Sequence, residues 1–100
     1  MNYSYILHEY AQEDYEDSLK WYAERSEQAV ANFILAIDEA LKLICENPTR
    51  WNNKHKDAYE FRLKKYPFSI IYIISPIGQN IVVSAIYHNK RNPQMKYREI

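Results

Sequence analysis

Residues 59–75, YEFRLKKYPFSIIYIIS, contain two strand patterns joined by a proline turn. Residues 59–64 alternate between apolar and charged side chains, which predicts a strand with its apolar side in the core. The charged side, expected on an open face of the sheet, comprises Glu60, Arg62 and Lys64. The dipeptide Tyr66-Pro67 predicts a turn. Residues 68–75 are mostly apolar at successive positions, which is typical of a central strand buried on both faces.

The residues on either side of this stretch extend the sheet. Residues 76–80, PIGQN, hold the only glycine of the chain and predict a hairpin loop. Residues 81–87, IVVSAIY, predict another strand buried on both sides. Residues 49–58 are polar and irregular, and we expect a loop there. Three strands with short connections predict an antiparallel meander.

The first half of the chain predicts one strand and two helices. Residues 3–7 alternate as a short aromatic strand. Apolar residues then recur at helical spacing from Ala11 to Tyr22, and this helix should end near residues 24–25. Ser26 is a good N-cap for a second helix, which Asn47-Pro48 should stop because the residue before a proline avoids helical geometry. The near absence of a linker predicts an antiparallel helix hairpin.

The predicted fold is therefore α+β, in the order β-α-α-β-β-β. The helix hairpin should cover one face of an antiparallel meander sheet, and the first strand should join that sheet. The other face is expected to stay open and to carry basic side chains. A length of 100 residues fits one domain spanning residues 1–100.

Composition excludes several classes of protein. The single cysteine, Cys45, cannot form an intramolecular disulfide, which indicates a reducing, cytoplasmic setting. One Cys and three scattered His argue against a metal site, and one Gly cannot build a phosphate or dinucleotide loop. We therefore expect no metal and no small-molecule cofactor. The longest apolar stretch is too short to span a membrane, so we expect no membrane partner.

Charge is divided between the two halves of the chain although the net charge is zero. Residues 1–50 hold 10 acidic and 4 basic side chains, whereas residues 51–100 hold 3 acidic and 9 basic ones. This asymmetry suggests a polyanionic or acidic partner for the second half. The alternative is a solvated acidic helix pair beside lysines that protect strand edges.

A basic and aromatic cluster in the second half is the best candidate for chemistry. It comprises Arg62, Lys64, Lys65, His88, Lys90, Arg91, Tyr97 and Arg98. Histidine can act as acid or base, arginine clamps phosphate oxygens and tyrosine can stack on a base or move a proton. Such a set could promote attack of a ribose 2′-hydroxyl on the neighbouring phosphate without a metal.

Each of these residues also has a structural interpretation. Arg62 could pair with a carboxylate across the sheet, and His88 could cap its strand by a hydrogen bond. The two lysines Lys64 and Lys65 could serve solubility, and Tyr97 could pack the tail onto the sheet. The sequence does not decide whether Trp21 and Trp51 are core residues or partner anchors.

Two segments resemble the signatures of a known toxin superfamily. Residues 61–72, FRLKKYPFSIIY, place an arginine on a strand before an aromatic-Pro-aromatic turn and an apolar strand. Residues 85–93, AIYHNKRNP, with Arg98 beyond them, resemble the C-terminal signature. Together with the two helices, they make the chain similar to the RelE/ParE superfamily of bacterial type II toxin–antitoxin systems, in particular its ParE-like plasmid-stabilisation branch.

This resemblance implies a fold like that of the small microbial ribonucleases and a cognate antitoxin as partner. It implies inhibition of translation by ribosome-dependent mRNA cleavage as the toxic act, with the ribosome and its mRNA as target. The alternatives are ParE-like inhibition of DNA gyrase without catalysis, or a degenerate member that only binds its antitoxin.

The superfamily's functional residues match this chain in part. Arg91 and Tyr97 match the arginine and tail tyrosine of RelE-like nucleases, and Arg62 lies where those enzymes carry a lysine. Ser69 stands where they carry a strand arginine. On the nuclease hypothesis, the catalytic residues are Arg62, His88, Arg91 and Tyr97. The phosphate-binding residues are then Lys64, Lys65, Lys90 and Arg98.

Overall fold

The structure, a computed structural model, describes residues 3–55 and 57–90. In these residues, strand β1 (Ser4–Leu7) leads into helices α1 (Glu9–Ala23) and α2 (Glu27–Glu46). The remaining strands are β2 (Asn52–His55), β3 (Ala58–Arg62), β4 (Phe68–Ile74) and β5 (Asn80–His88). The α+β class is confirmed, since a helix pair packs on one sheet.

The sheet is mixed rather than wholly antiparallel. Its strand order is β1-β5-β4-β3-β2. Strands β3, β4 and β5 form the expected three-stranded antiparallel meander, and β2 adds a fourth strand to it. Strand β1 joins the sheet as predicted, but it runs parallel to β5, with Tyr5 beside Ile81. A parallel neighbour needs a long crossover, and the helix hairpin together with the meander supplies it.

The prediction of a loop over residues 49–58 is wrong, because β2 lies within it. Asn52 pairs with Glu60 and Asn53 with Tyr59, followed by an irregularity in the register. Asparagine is depleted in strands, so local propensity does not indicate this element. The segment becomes a strand because its backbone forms hydrogen bonds with the otherwise unpaired edge of β3.

The helix boundaries follow the predicted capping residues. The Ser26 hydroxyl accepts a hydrogen bond from the Ala29 backbone N–H at 2.9 Å and begins α2. Helix α2 ends at Glu46, with Asn47 as its C-cap immediately before the proline, and α1 ends at Ala23 with Glu24 as its C-cap. No helix in the described part of the chain is both long enough and apolar enough to cross a membrane.

The main core lies between the helix hairpin and one face of the sheet. From α2 it takes Phe33, Ile37, Leu41 and Ile44, all nearly inaccessible to solvent. From the sheet it takes Phe61, Phe68, Ile70, Tyr72, Ile81 and Val83. The aromatic rings concentrate around Phe33, which stacks on Tyr22 with centroids 4.6 Å apart.

The opposite face of the sheet, called here the second face, is not open as predicted. Ile71 and Ala85 have no exposed surface, and Tyr87 is 6% exposed; these three form a smaller apolar cluster on it. Glu60, expected among the exposed charges, is also buried. Strands β4 and β5 carry apolar residues on both sides, so both faces of the sheet need to be shielded from water. The charged residues that alternate along β3 do not keep the second face open.

Candidate functional site

Arg62 is the last residue of β3 and belongs to the second face. Its register partner is Ser69 on β4, whose own partner is Tyr87 on β5. Paired residues in an antiparallel ladder project to the same side, so these three side chains share one face. Arg62 is exposed, as are Lys64 and Lys65 in the turn that follows β3.

His88 belongs to the opposite face, beneath the helices. It pairs with Phe68, and their rings meet edge to face with centroids 5.0 Å apart. Its Nδ1 accepts a hydrogen bond from the Lys90 backbone N–H at 3.2 Å. This bond caps the end of β5, as the structural interpretation of His88 anticipated, and it assigns the proton of the neutral ring to Nε2.

The expected single surface carrying both Arg62 and His88 is therefore wrong. Adjacent residues on a strand alternate between faces, and Ser69 and Phe68, the partners of Arg62 and His88, are adjacent on β4. Arg62 and His88 therefore project to opposite faces at the same end of the sheet.

Ser69, at the position of the superfamily's strand arginine, has a structural role. It is fully buried, and its hydroxyl donates a hydrogen bond to Asn89 Oδ1 at 2.8 Å. The Asn89 backbone N–H in turn donates to the Pro67 carbonyl at 2.8 Å. These two bonds fix the end of β5 to the start of β4.

Three of the candidate residues lie outside the described residues. They are Arg91, Tyr97 and Arg98, and their assigned roles stay predictions. Lys90 is described and exposed, two residues beyond His88. Among the described candidates, Arg62, Lys64 and Lys65 cluster along the chain, whereas His88 and Lys90 form a separate group at the end of β5.

A cavity of about 430 Å³ adjoins His88, and we call it the aromatic cavity. It is lined by Trp21 and Tyr22 from the end of α1, Pro67 from the β3–β4 turn, and His88. Trp21 is 42% exposed, which is unusual for a large apolar ring. The Arg25 guanidinium lies over the Trp21 ring, 3.5 Å from its centroid. The sequence alone does not place Trp21 beside His88, because the two residues are far apart in the chain.

The clearest pKa shifts belong to core residues. Burial, followed by the neighbouring Tyr59 and Cys45, raises the pKa of the Tyr72 phenol above its usual value. Its hydroxyl donates to the Pro48 carbonyl at 2.6 Å, which ties the end of α2 to the sheet. Burial, followed by Asp38 and Tyr5, likewise raises the pKa of Tyr15. Both phenols stay protonated at neutral pH.

Helix α1 is held against β5 by a carboxylate. Asp14 Oδ2 accepts a hydrogen bond from the Ile86 backbone N–H at 3.0 Å. Strand β1 pairs with β5 only as far as Val83, so Ile86 lies beyond that pairing. Asp14 thus takes the place of a neighbouring strand at this edge of the sheet. It also positions α1, whose C-terminal end contributes Trp21 and Tyr22 to the lining of the aromatic cavity.

We expect the Asp14→Ala variant to lose about 1 kcal/mol of unfolding free energy, because the Ile86 N–H loses its acceptor. The effect stays modest since the bond is only partly buried and water can replace the carboxylate. Urea denaturation followed by circular dichroism measures it. Asp17→Ala, an exposed aspartate on the same helix, is the matched control. Equal stabilities of the two variants would contradict this role of Asp14.

A protein-family model matches most of the chain. Residues 5–93 match the family model described as the ParE toxin of the type II toxin–antitoxin system parDE. A search of curated protein sequences found no significant match.

Two solved structures of similar fold come from toxin–antitoxin systems. The chromosomal ParDE system from P. aeruginosa contains a chain that matches with a TM-score of 0.72 and 16% identity, covering 86% of this chain and 95% of that one. The RelBE2 toxin–antitoxin complex from Mycobacterium tuberculosis matches with a TM-score of 0.59 and 12% identity, covering 88% and 99%. At these identities the likeness concerns the fold.

Proposed function

We propose that this chain, which belongs to the ParE toxin family of type II toxin–antitoxin systems, acts by binding its target and not by cleaving RNA. The resemblance to ParE-like toxins implies that this target is DNA gyrase. Two solved structures of similar fold come from toxin–antitoxin systems, which supports a cognate antitoxin as the partner that neutralises the chain.

The division of the candidate residues between two faces carries this proposal. A general acid or base acts within hydrogen-bond reach of the group it serves, and the strand register directs Arg62 and His88 to opposite faces of the sheet, which argues against a phosphate shared by the two. The superfamily's strand arginine is absent as well, and the buried Ser69 in its place is bonded to Asn89. Loss of one such positioned donor lowers the rate by roughly 10²–10³-fold.

The helix hairpin is the surface we assign to target binding. Helix α2 exposes Leu35 and Leu43, 58% and 43% accessible, on the side away from the core. These two leucines are the large apolar side chains that α2 exposes, and we assign them to the target interface. A non-catalytic toxin needs such a surface and needs no proton transfer.

Expression of the chain alone in a bacterium, with pulse labelling of protein and DNA synthesis, tests this proposal. We expect DNA synthesis to stop and cells to filament while translation continues, and we expect the purified chain to inhibit supercoiling by gyrase. His88→Ala and Tyr97→Phe should retain toxicity, because neither residue transfers a proton. Leu35→Asp should abolish toxicity, and antitoxin binding serves as the check that this variant is folded.

Ribosome-dependent mRNA cleavage is the second candidate. It is favoured by the exposed Arg62 with the exposed Lys64 and Lys65 beside it, which form a basic strip suited to a phosphate backbone. An early stop in translation with intact DNA synthesis, lost in Tyr97→Phe, would establish it and overturn the gyrase proposal. A wild-type chain that binds antitoxin but harms no cell would instead identify a degenerate member.

A further inference from the structure

We infer that the aromatic cavity is a nucleotide-binding site, with the base against the aromatic lining and the phosphate on a basic rim. This inference is independent of the proposed target, because it depends on the helix-side cavity and not on the exposed apolar residues of α2. The ligand is either a free nucleotide or one nucleotide of a single strand.

The lining of the cavity suits a flat ring. Three of the four lining side chains, Trp21, Tyr22 and His88, carry planar rings, and Pro67 adds an apolar wall. Nucleobases stack on aromatic side chains without regard to sequence, since every base has a π face. A volume of about 430 Å³ lies within the range of roughly 300–1,000 Å³ that is usual for small-molecule sites.

The rings are also held in place before any ligand arrives. Tyr22 stacks on Phe33 and meets the Trp21 ring edge to face at 4.9 Å. His88 is held by Phe68 on one side and by the Lys90 backbone N–H on the other. A preorganised site avoids the entropy cost of ordering its side chains when the ligand binds.

The surroundings of the cavity favour an anion. The Arg25 guanidinium lies on the Trp21 ring, and the exposed Lys90 follows His88 by two residues. Planar rings beside cations are the combination that binds single-stranded nucleic acid, in which bases stack and the backbone carries negative charge.

Fluorescence anisotropy with the purified full chain tests this site. The probes are a labelled single-stranded oligothymidine and an abasic strand of equal length, with thymidine monophosphate as competitor. We expect the base-bearing strand to bind roughly tenfold more tightly than the abasic strand, or better, because one base adds its stacking energy. Competition by the monophosphate at similar concentration would identify the free nucleotide as the ligand, and its failure would identify the strand.

Variants assign the effect to the cavity. Trp21→Ala should remove the preference for the base-bearing strand, and Trp21→Phe should retain most of it. Ile77→Ala, an 80% exposed apolar residue in the β4–β5 loop, should leave it unchanged. In a Trp51→Phe background, Trp21 is the sole tryptophan, and the oligothymidine should quench its fluorescence.

Three results would overturn the inference. Equal affinity for the base-bearing and abasic strands would reduce the interaction to charge alone. Retention of the preference in Trp21→Ala would place the base elsewhere. Failure of all three probes to bind the wild-type chain would remove the site altogether.

Discussion

The Phe33→Ala variant is expected to lose about 3–5 kcal/mol of unfolding free energy, the usual cost of truncating a buried phenylalanine. Phe33 has no exposed surface and contacts aromatic rings from three parts of the chain. The rings within 6.2 Å of its centroid belong to Tyr15, Tyr22, Tyr66 and Phe68. Deleting it removes the packing that joins both helices to β4 and its preceding turn.

A loss of this size is a large share of the 5–15 kcal/mol that is typical of a small domain. Urea unfolding monitored by circular dichroism measures it, with Leu35→Ala as the control. Leu35 lies two residues away on the same helix but is 58% exposed, so its truncation should change the unfolding free energy by less than about 0.5 kcal/mol. Equal effects of the two substitutions would show that Phe33 is not the centre of the core.

The Tyr72→Phe variant should lose about 1–3 kcal/mol at neutral pH, because the buried Pro48 carbonyl loses its only described side-chain donor. The substitution keeps the ring and its stacking on Tyr59, whose centroid is 5.4 Å away. The loss therefore reports the hydrogen bond that anchors the end of α2. Tyr5→Phe, which removes a hydroxyl from a 43% exposed ring, is the matched control and should be nearly neutral.

The unfolding free energy of the Tyr72→Phe variant should depend less strongly on alkaline pH than that of the wild type. Burial raises the pKa of Tyr72 in the folded state, whereas the unfolded chain releases this proton near the usual value of about 10. Above that pH the unfolded state binds fewer protons, so wild-type stability falls as pH rises. Tyr72→Phe lacks this proton, and the stability difference between the two proteins should shrink above pH 10. A constant difference from pH 7 to pH 11 would contradict the raised pKa.

Local sequence was sufficient for most of the elements, because their signals are short-range. Ser26 begins α2 and Asn47 ends it, as capping chemistry and the following Pro48 predict. The apolar runs of β4 and β5 predicted their burial on both faces, since a central strand shows no alternation. The resemblance of two short segments to the RelE/ParE superfamily also agreed with the family match over residues 5–93.

Strand β2 and the direction of β1 depended on tertiary structure. Asn52 and Asn53 have no local preference for a strand and form one because β3 offers an unpaired edge. The residues of β1 predict a strand in either direction, and only the path through the helix hairpin makes it parallel to β5. Strand pairing depends on residues that are far apart in the sequence, so a short stretch of sequence cannot reveal it.

The candidate site shows the same division between local and long-range information. Residue types alone identified Arg62 and His88 as candidates, because guanidinium and imidazole chemistry is a property of the side chain. Their separation onto two faces followed from the register of β3, β4 and β5, since a shift by one residue exchanges the faces. The aromatic cavity likewise exists only because folding brings Trp21 at the end of α1 beside His88 at the end of β5.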